Sequence, residues 1–334
     1  MRIVVDAMGS DDYPVPDVAG AVLAAREWGD EIILVGDRAK IEPELAKHDT
    51  SGLKLEVVHA SQVIEMTDKA TEGAKQKTDS SMHVGMGLVR DGKADAYVTA
   101  GNTGGVLAVA TLYTLKRIEG VKRPALTTII PHISGYVVAA DIGANADCKP
   151  EFLVQFGLMA SLYTQLALGV KEPRVALLSN GEEEGKGNEL IKETLPLMKS
   201  AAKFNFIGNV EPKEVLSGKT DVVIHDGFTG NIMLKSLEAT ASMMSKLLRQ
   251  EITSGLITKI GGGLARPAFK RVSRRLDPFE VGGAVLLGVN GVVIIGHGRS
   301  NEVAIKNAVR QARQAVQGGV VDAIRAGIRD TSAD

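Results

Sequence analysis

Short runs of β-branched and other apolar residues alternate along the chain with longer segments in which apolar residues recur every three to four positions. The short runs predict strands at residues 3–5, 32–35, 55–58, 96–99, 127–130, 137–140, 175–178, 204–208, 222–224 and 292–295. The longer segments predict helices at residues 17–28, 38–48, 67–76, 81–91, 104–116, 149–168, 186–202, 231–253 and 301–326. This alternation predicts an α/β protein in which helices cover both faces of a mostly parallel sheet.

One connection departs from this pattern. The segment HISG, between Pro131 and Tyr136, is too short to hold a helix and predicts an antiparallel hairpin, so we expect the sheet to be mixed. The chain shows no internal repeat or low-complexity tract, which favours a single α/β catalytic domain over residues 1–330. Residues 331–334 are expected to form a loose tail.

Composition narrows the class of partner. The 334 residues carry 39 Lys and Arg against 40 Asp and Glu, and aromatic residues make up 4%, so neither charge nor stacking surface favours nucleic acid. The single cysteine, Cys148, excludes an internal disulfide and fits a reducing compartment. No segment approaches about 18 uninterrupted apolar residues, and MRIVVDAMG begins as a strand instead of a signal peptide. We therefore expect a cytoplasmic or peripheral protein.

Glycine, asparagine, acidic and hydroxyl residues gather where predicted strands pass into predicted helices. Such loops lie at residues 6–11, 99–105, 141–147, 179–188, 226–231 and 296–301. Each loop alone is explained by turn formation or helix capping. If their strands are parallel neighbours, however, all six loops meet in one ligand-binding cleft. The candidate phosphate-binding residues at these junctions are Asp6, Gly9, Asn102, Thr103, Gly104, Asp141, Gly143, Asn145, Asn180, Gly181, Asp226, Gly227, Gly230, Lys235, Ser300 and Asn301.

The segment DVVIHDGFTGNIMLK at residues 221–235 shows the pattern most clearly, since a buried-strand signal passes through two glycines into a helix. Free backbone N–H groups and the positive end of the helix dipole favour an anion at such a junction. Asn231 and Lys235 lie four residues apart and therefore share one helix face. The alternative is that the glycines make a tight turn and Asp226 caps the helix.

Three residues are candidates for catalysis. Lys186 stands in a glycine-flanked turn, where its ammonium group can reach phosphate or a developing oxyanion. The acids at residues 182–184 would repel phosphate, so we expect them to face outward or to interact with a helix dipole. Asn231 can donate two N–H groups to a negative oxygen, and His297, between two glycines, is a candidate acid or base. A solvated lysine and a turn histidine are the alternatives.

Other common devices do not match the sequence. The spacing from Gly181 to Lys186 is too short for a Walker A loop, and the first predicted strand is not followed by a G-x-G-x-x-G dinucleotide motif. The histidines are scattered without metal-ligand spacing, so no metal site and no cofactor are predicted. Cys148 has no adjacent histidine that would activate it as a nucleophile.

These loops, in this order, resemble the PlsX family of phosphate acyltransferases, and the resemblance covers essentially the whole chain. The motifs that carry it are DAMG at 6–9, TAGNTG at 99–104, DIGAN at 141–145, LSNGEE with KGN at 178–188, DGFTGNIMLK at 226–235, and GGAVLLGVNG leading to HGRSN at 282–301. Three positions depart from the usual pattern: Ser10 and Gly105 stand where glycine and alanine are usual, and Arg299 stands where serine is usual.

The resemblance implies a Rossmann-like α/β/α fold related to the phosphotransacetylases and to the isocitrate and isopropylmalate dehydrogenases. It implies transfer of an acyl group from acyl carrier protein to inorganic phosphate, in bacterial phospholipid synthesis. It also implies a homodimer, no cofactor and a downstream acyl-phosphate:glycerol-3-phosphate acyltransferase at the membrane. Two rival functions are an NAD-dependent decarboxylating dehydrogenase and a non-catalytic module that binds phosphate or acyl carrier protein.

Residues 241–275 differ from the rest of the chain, and we interpret them as a protruding helical docking arm. An apolar stripe at helical spacing runs beside eight Lys and Arg that face one Glu. Such a segment suits an anionic membrane or an acidic acyl carrier protein, although the stripe also fits a dimer interface. The candidate docking residues are Leu256, Ile257, Ile260, Leu264, Arg266, Lys270, Arg271 and Arg274.

Overall fold

The computed structural model describes residues 1–201 and 203–332. The strands are β1 (Arg2–Asp6), β2 (Glu31–Gly36), β3 (Leu55–His59), β4 (Ala96–Thr99), β5 (Ala125–His132), β6 (Gly135–Ala140), β7 (Val175–Leu178), β8 (Phe206–Val210), β9 (Val222–Ile224), β10 (Ala284–Leu287) and β11 (Val292–Ile295). The helices are α1 (Val15–Trp28), α2 (Arg38–Leu45), α3 (Ala70–Gln76), α4 (Ser81–Arg90), α5 (Thr103–Ala108), α6 (Pro150–Leu168), α7 (Glu189–Ala201), α8 (Pro212–Val215), α9 (Gly227–Thr253), α10 (Leu256–Leu276), α11 (Pro278–Val281), α12 (Glu302–Gln317) and α13 (Val320–Ser332).

All of these strands belong to one sheet, with the order β3-β2-β1-β4-β11-β10-β5-β6-β9-β7-β8. Most neighbouring strands are parallel, but β10 is antiparallel to both β11 and β5, and β5 is antiparallel to β6. The predicted mixed sheet, including the hairpin between Pro131 and Tyr136, is therefore confirmed. The reversals leave β1, β4 and β11 running opposite to β6, β9 and β7.

Alternate residues of each strand contribute side chains to two apolar layers, one on each face of the sheet. On one face, Ile3 and Val5 pack with apolar residues of α1, α6, α7, α12 and α13. On the other face, Val4 and Tyr97 pack with apolar residues of α3, α4 and α5 and with the partly buried Leu234 of α9. Because β-strand side chains point alternately to the two faces, this pattern produces the three-layer α/β/α fold.

Several predicted boundaries were wrong. The strand β10 was missed, because a four-residue apolar run between glycines carries little periodicity. The single helix predicted over 301–326 is divided at Gly318 and Gly319 into α12 and α13. The helix α13 continues to Ser332, so the first half of the predicted loose tail is helical, and residues 333–334 lie outside the described residues. Residue 202, at the end of one predicted helix, also lies outside them.

The helices α9 and α10 form an extended hairpin over residues 241–275, which we call the arm. No described side chain of α10 is buried, and Gly262 of α10 lies against Ile252 of α9. Arg275, at the base of the arm, donates hydrogen bonds to the carbonyl oxygens of His132 and Ile133 in the β5–β6 turn. Within the described residues, none of the helices combines the length and apolar character that crossing a bilayer requires.

Candidate active site

The six polar loops form two groups, which lie at opposite ends of the strands of the sheet. The loops at 141–147, 179–188 and 226–231 follow β6, β7 and β9, which are adjacent and parallel; we call them the lysine loop group. The loops at 6–11, 99–105 and 296–301 follow β1, β4 and β11 and form the histidine loop group. The expectation that the carboxyl ends of all six strands lie on the same side of the sheet was wrong, because the antiparallel pairs reverse the strand direction in half of the sheet.

Asp141 organises the first loop of the lysine loop group. Its buried carboxylate accepts hydrogen bonds from the backbone N–H groups of Leu126, Gly143, Ala144 and Asn145, at 2.7–3.1 Å, and from Asn145 Nδ2 at 2.8 Å. Burial raises the pKa of Asp141, and these hydrogen bonds oppose the increase. The N–H groups that we expected to cradle phosphate are therefore bound to Asp141, which makes this carboxylate a support for the loop.

Asn145 joins this loop to its two neighbours. Its Nδ2 also donates to Pro124 O at 2.8 Å, and its own carbonyl oxygen accepts from Gly227 N at 2.8 Å. Gly143 has a positive φ of 147° and lies against Asn231, where a Cβ atom would stand 3.1 Å from Asn231 Nδ2. The loop thus fixes the first turn of α9 without offering the Asn145 side chain to a ligand.

The first turn of α9 is capped and closely packed. Asp226 accepts hydrogen bonds from Thr229 N and Thr229 Oγ1, both at 2.8 Å. A side chain at Gly230 would overlap the His225 ring and the Asp141 carbonyl oxygen. The capping role that the sequence allowed for Asp226 is therefore present, and Gly230 is required because α9 starts directly against the loop after β6.

Asn231 and Lys186 keep donors free at this edge. Asn231 Nδ2 donates one hydrogen bond to Ile142 O at 3.1 Å, which orients the amide and leaves its second N–H unused. The N–H of Phe228, in the first turn of α9, has no partner within the described part of the chain. The exposed Lys186 ammonium likewise forms no ion pair there. Lys235, on the same face of α9 as Asn231, is also exposed.

Two of the three acids before Lys186 pair with other lysines, whereas Glu183 Oε2 lies over Gly181 beside the Lys186 side chain. Glu184 pairs with Lys199, and Glu182 pairs with Lys219 at 2.8 Å. The side chain of Lys186 lies over Gly181, and Asn180 Oδ1 accepts from Gly187 N at 2.9 Å to close the turn. The expected outward orientation of the acids is therefore present for Glu182 and Glu184, and Lys186 forms no ion pair among the described residues.

Two further titratable groups lie under the lysine loop group. His225 is fully buried, and burial lowers its pKa, so the ring is neutral; its Nδ1 lies 2.9 Å from Asp141 O. Burial raises the pKa of Cys148 to about 12, with Asp141 contributing in the same direction. A thiol with this pKa is protonated near neutral pH, which argues against Cys148 as a nucleophile.

The predicted residues of the histidine loop group mostly support its loops. Buried Asp6 accepts from Met8 N, Tyr97 Oη and Thr99 Oγ1, and burial raises its pKa. Asn102 caps α5 through Gly105 N, and its Nδ2 contacts carbonyl oxygens of residues 65, 66 and 68. A Cβ atom at Gly9 would stand 2.8 Å from Ala100 N, and Gly104 packs on Ala70. Asn301 caps α12 through Ala304 N. Thr103 is exposed, and the buried Ser300 has an Oγ without a partner among the described residues.

His297 is separate from Lys186 and Asn231. Its Nε2 lies 3.8 Å from Glu238 Oε1 of α9. Glu238 follows Asn231 by seven residues, which places it about 10 Å along the same face of the helix. Arg299, two residues after His297, stacks on the Phe279 ring at 5.8 Å instead of entering the histidine loop group. The helix α9 thus connects the two loop groups, but His297 does not join the donors of the lysine loop group.

Two apolar side chains at this site were missed in the sequence. Phe228 is 63% exposed and Ile232 is 50% exposed; Phe228 lies three residues before Asn231 and four before Ile232, so it neighbours both on the surface of α9. The signal was an aromatic residue at the second position of a helix, directly after a polar loop. The lysine loop group therefore combines an unpaired ammonium group, amide donors and an exposed apolar surface, an arrangement that can bind an anion beside an acyl chain.

Comparisons with known proteins identify the family of the chain. A family model described as "Fatty acid synthesis protein" matches residues 1–323. A phosphate acyltransferase of Geobacter sulfurreducens is 47% identical over 320 residues, which are 96% of this chain and 92% of that protein. A phosphate acyltransferase of Nitratidesulfovibrio vulgaris is 48% identical over 315 residues, which are 94% of this chain and 91% of that protein.

Solved structures share the fold at much lower identity. A phosphotransacetylase from Streptococcus pyogenes superposes with a TM-score of 0.63 at 18% identity, covering 95% of this chain and 94% of the other. A branched-chain phosphotransacylase from Enterococcus faecalis gives a TM-score of 0.60 at 15% identity, covering 95% of this chain and 99% of the other. The predicted relation to the phosphotransacetylase fold is confirmed. The chain belongs to the fatty acid synthesis protein family, the PlsX family of phosphate acyltransferases.

Proposed function

We propose that this phosphate acyltransferase transfers the acyl group of acyl-acyl-carrier-protein to inorganic phosphate, and that the acyl-phosphate enters bacterial phospholipid synthesis. The observation that carries the proposal is the pair formed by Lys186 and Asn231. They follow the adjacent strands β7 and β9, and each keeps a donor without a partner among the described residues. A dianionic nucleophile and a developing oxyanion both need such donors.

The reaction requires no covalent intermediate on the enzyme. An oxygen of hydrogen phosphate attacks the thioester carbon, the carbonyl oxygen becomes negative, and the carbon–sulfur bond then breaks. The electron pair of that bond leaves with the sulfur, and the proton of hydrogen phosphate passes to the resulting thiolate. The products are acyl-phosphate and a free thiol. The protonated state of Cys148, whose pKa is about 12, is consistent with this direct route.

The residues of the lysine loop group divide this work. In this proposal, the Lys186 ammonium group offsets the charge of phosphate, and the free N–H of Asn231 donates to the developing oxyanion. The Phe228 N–H and the positive end of the α9 dipole add to the same field. The exposed side chains of Phe228 and Ile232 contact the apolar acyl chain. Holding both reactants here supplies orientation as well as charge stabilisation.

The test compares Lys186→Ala and Asn231→Ala with Lys192→Ala, an exposed lysine on α7 without a role in the proposal. Release of free thiol from acyl-acyl-carrier-protein is measured with saturating phosphate. Each site variant should lose roughly 10²–10³-fold in kcat, as for removal of one oxyanion donor, while the control stays at the wild-type rate. Near-normal turnover in both site variants would remove these residues from the site. A wild-type protein that binds phosphate but releases no thiol would favour a binding module instead.

We further propose that the protein is cytoplasmic, homodimeric and peripherally bound to the membrane through the arm. The exposed apolar residues of α9, such as Met243 and Leu247, suit a dimer interface, whereas the tip at Leu256 and Ile257 suits lipid. Membrane contact would bring poorly soluble acyl-phosphate close to an acyl-phosphate:glycerol-3-phosphate acyltransferase in the membrane.

A further inference from the structure

A cavity of about 560 Å³ opens beside the start of α6, away from the arm. Four of its lining residues are cations, and Glu151 is the one acid among the lining residues. We call this cavity the basic pocket. Its lining consists of Arg117, Gly120, Val121, Lys122, Arg123, Lys149, Glu151 and Phe152. None of the residues assigned above to phosphate or thioester lines it.

Two of the four cations of the basic pocket have side-chain contacts, and none is paired with an acid among the described residues. The guanidinium of Arg123 stacks over the Phe152 ring at 5.9 Å, and Arg117 donates a hydrogen bond to Lys122 O. Within the described residues, none of the four cations forms an ion pair with an acid. All four are exposed, in a chain whose total charge is nearly balanced. The pocket is therefore a local positive field directed at solvent.

Hydrogen bonds from neighbouring side chains hold the backbone beneath these cations. Gln155 of α6 accepts a hydrogen bond from Lys122 N at 2.8 Å and donates one to Gly120 O at 3.0 Å. Asn290 donates to Arg117 O at 3.0 Å. The positive end of the 19-residue helix α6 begins directly after Lys149 and adds to the field. Pre-organised charges of this kind favour binding, because little ordering remains to be done when a partner arrives.

The basic pocket borders the lysine loop group on two sides. Lys149 follows the loop at 141–147 in sequence, and Arg123 precedes Pro124, whose carbonyl oxygen accepts from Asn145 Nδ2 at 2.8 Å. The carbonyl oxygen of Asn145 in turn accepts from the N–H of Gly227, at the start of α9. A partner held in the pocket would therefore lie next to the proposed acyl-transfer site, within reach of a flexible pantetheine chain that carries the thioester.

We propose that the basic pocket docks the acidic surface of the acyl carrier protein and so delivers the thioester to the lysine loop group. This inference rests on the proposed function. The arm is the other basic surface, but it joins the body at the far end of β5, where Arg275 contacts His132. The pocket borders the near end of β5, roughly 23 Å away along the strand. Two separate surfaces thus serve a protein partner and a lipid surface.

The test uses the double charge reversal Lys122→Glu with Arg123→Glu in the full-length chain. The matched control is Lys54→Glu with Lys171→Glu, two exposed lysines: Lys54 precedes β3, six strands away from β5, and Lys171 precedes β7, whose start lies at the far end of β5. The KM for acyl-acyl-carrier-protein at low salt should rise about tenfold or more in the pocket variant, because steering and rim charges are lost. The control should stay within about twofold of wild type, and both variants should use acyl-pantetheine, which lacks the protein, as wild type does.

Three results would overturn the proposal. An unchanged KM for acyl-acyl-carrier-protein would exclude docking at the pocket. An equal loss with acyl-pantetheine would place the pocket in the transfer site itself, and a raised KM for inorganic phosphate would make it a phosphate site. Direct binding of the carrier protein, measured at increasing salt concentration, tests docking separately from the proposed acyl-transfer function. Salt-dependent binding that is lost in the pocket variant would support docking even if wild type released no thiol and the proposed function failed.

Discussion

At the scale of single residues, buried and exposed polar groups have different tasks in this protein. The buried carboxylates of Asp6 and Asp141 each accept several hydrogen bonds from their own loops and from neighbouring strands. The exposed Lys186 and the half-buried Asn231 keep donors unused. Sequence patterns place both kinds of residue at the same junctions, so they cannot separate the carboxylates that hold the loops from the groups that we propose to contact substrate.

Asp17 is the buried carboxylate with the clearest consequence for stability. Burial raises its pKa to about 7, against the effect of a 2.5 Å hydrogen bond from Ser10 Oγ, and the charge of Asp6 contributes in the same direction as burial. Its other oxygen has no partner within the described residues. The folded state therefore binds a proton more tightly than the unfolded state, whose Asp has a pKa of about 3.9. Stability from this group is present at low pH and is lost as the pH rises through about 7.

We expect Asp17→Asn to remove this pH dependence. Between pH 5 and pH 7, the free energy of unfolding of wild type should fall relative to that of Asp17→Asn by on the order of 2 kcal/mol. Urea unfolding at several pH values measures the difference. Asp12→Asn, at an exposed position nearby, is the control and should follow the wild-type profile. Parallel profiles for wild type and Asp17→Asn would show that Asp17 does not titrate in this range.

At the scale of elements, α9 links the parts of the molecule. It begins against the loop after β6, contacts His297 through Glu238, and continues into the arm. Its start depends on Gly230, because a Cβ there would overlap the His225 ring and the Asp141 carbonyl oxygen. Displacing this turn would also move Asn231, whose Nδ2 hydrogen bond to Ile142 O sets its orientation.

Gly230→Ala should therefore destabilise the protein by about 1–3 kcal/mol or more, through overpacking. Gly87→Ala is the matched control, since Gly87 lies within α4 and a Cβ there would meet nothing within 4 Å. That control should gain about 0.5–1 kcal/mol from helix propensity. Thermal unfolding of both variants checks the signs. Equal effects would show that the first turn of α9 is not held as tightly as the contacts indicate.

The sequence predicted individual elements better than it predicted their arrangement. Apolar runs such as 3–5 and 292–295 identified strands because buried parallel strands need continuous β-branched residues. Periodicity contains no strand order, however, and the missed strand β10 is one of the reversals that separate the two loop groups. The free charge of Lys186 depends on pairing of its acidic neighbours with Lys199 and Lys219, which are distant in sequence. Such contacts follow from tertiary structure and not from local pattern.

At the scale of the whole molecule, the basic pocket and the arm lie at opposite ends of the strand β5. The lysine loop group and the basic pocket share the edge at the start of β5, and the arm leaves near the β5–β6 turn. Under the proposed function, this separation means that the carrier protein and the membrane do not compete for one surface.

The arm makes the final prediction. Its tip exposes Leu256 (77%), Ile257 (86%), Ile260 (60%) and Leu264 (81%), more than a folded surface usually leaves in one place. The helix α10 then presents exposed cations at Arg266, Lys270 and Arg271, while Arg274 pairs with Glu280 at 2.9 Å. Apolar side chains beside unpaired cations suit the interface of an anionic bilayer, where burial and charge attraction add together.

We expect wild type to sediment with anionic vesicles, and the double variant Leu256→Glu with Ile260→Glu to lose at least roughly tenfold in vesicle binding. High salt should weaken wild-type binding only in part, because the apolar contribution is not screened. Leu112→Glu with Leu197→Glu places the same charges on exposed apolar sites of the body and should bind like wild type. Light scattering should show unchanged oligomeric state in both variants. If wild type fails to bind vesicles, or the tip variant binds equally well, the arm does not contact lipid through its tip, and its apolar stripe is better explained by contact with another protein.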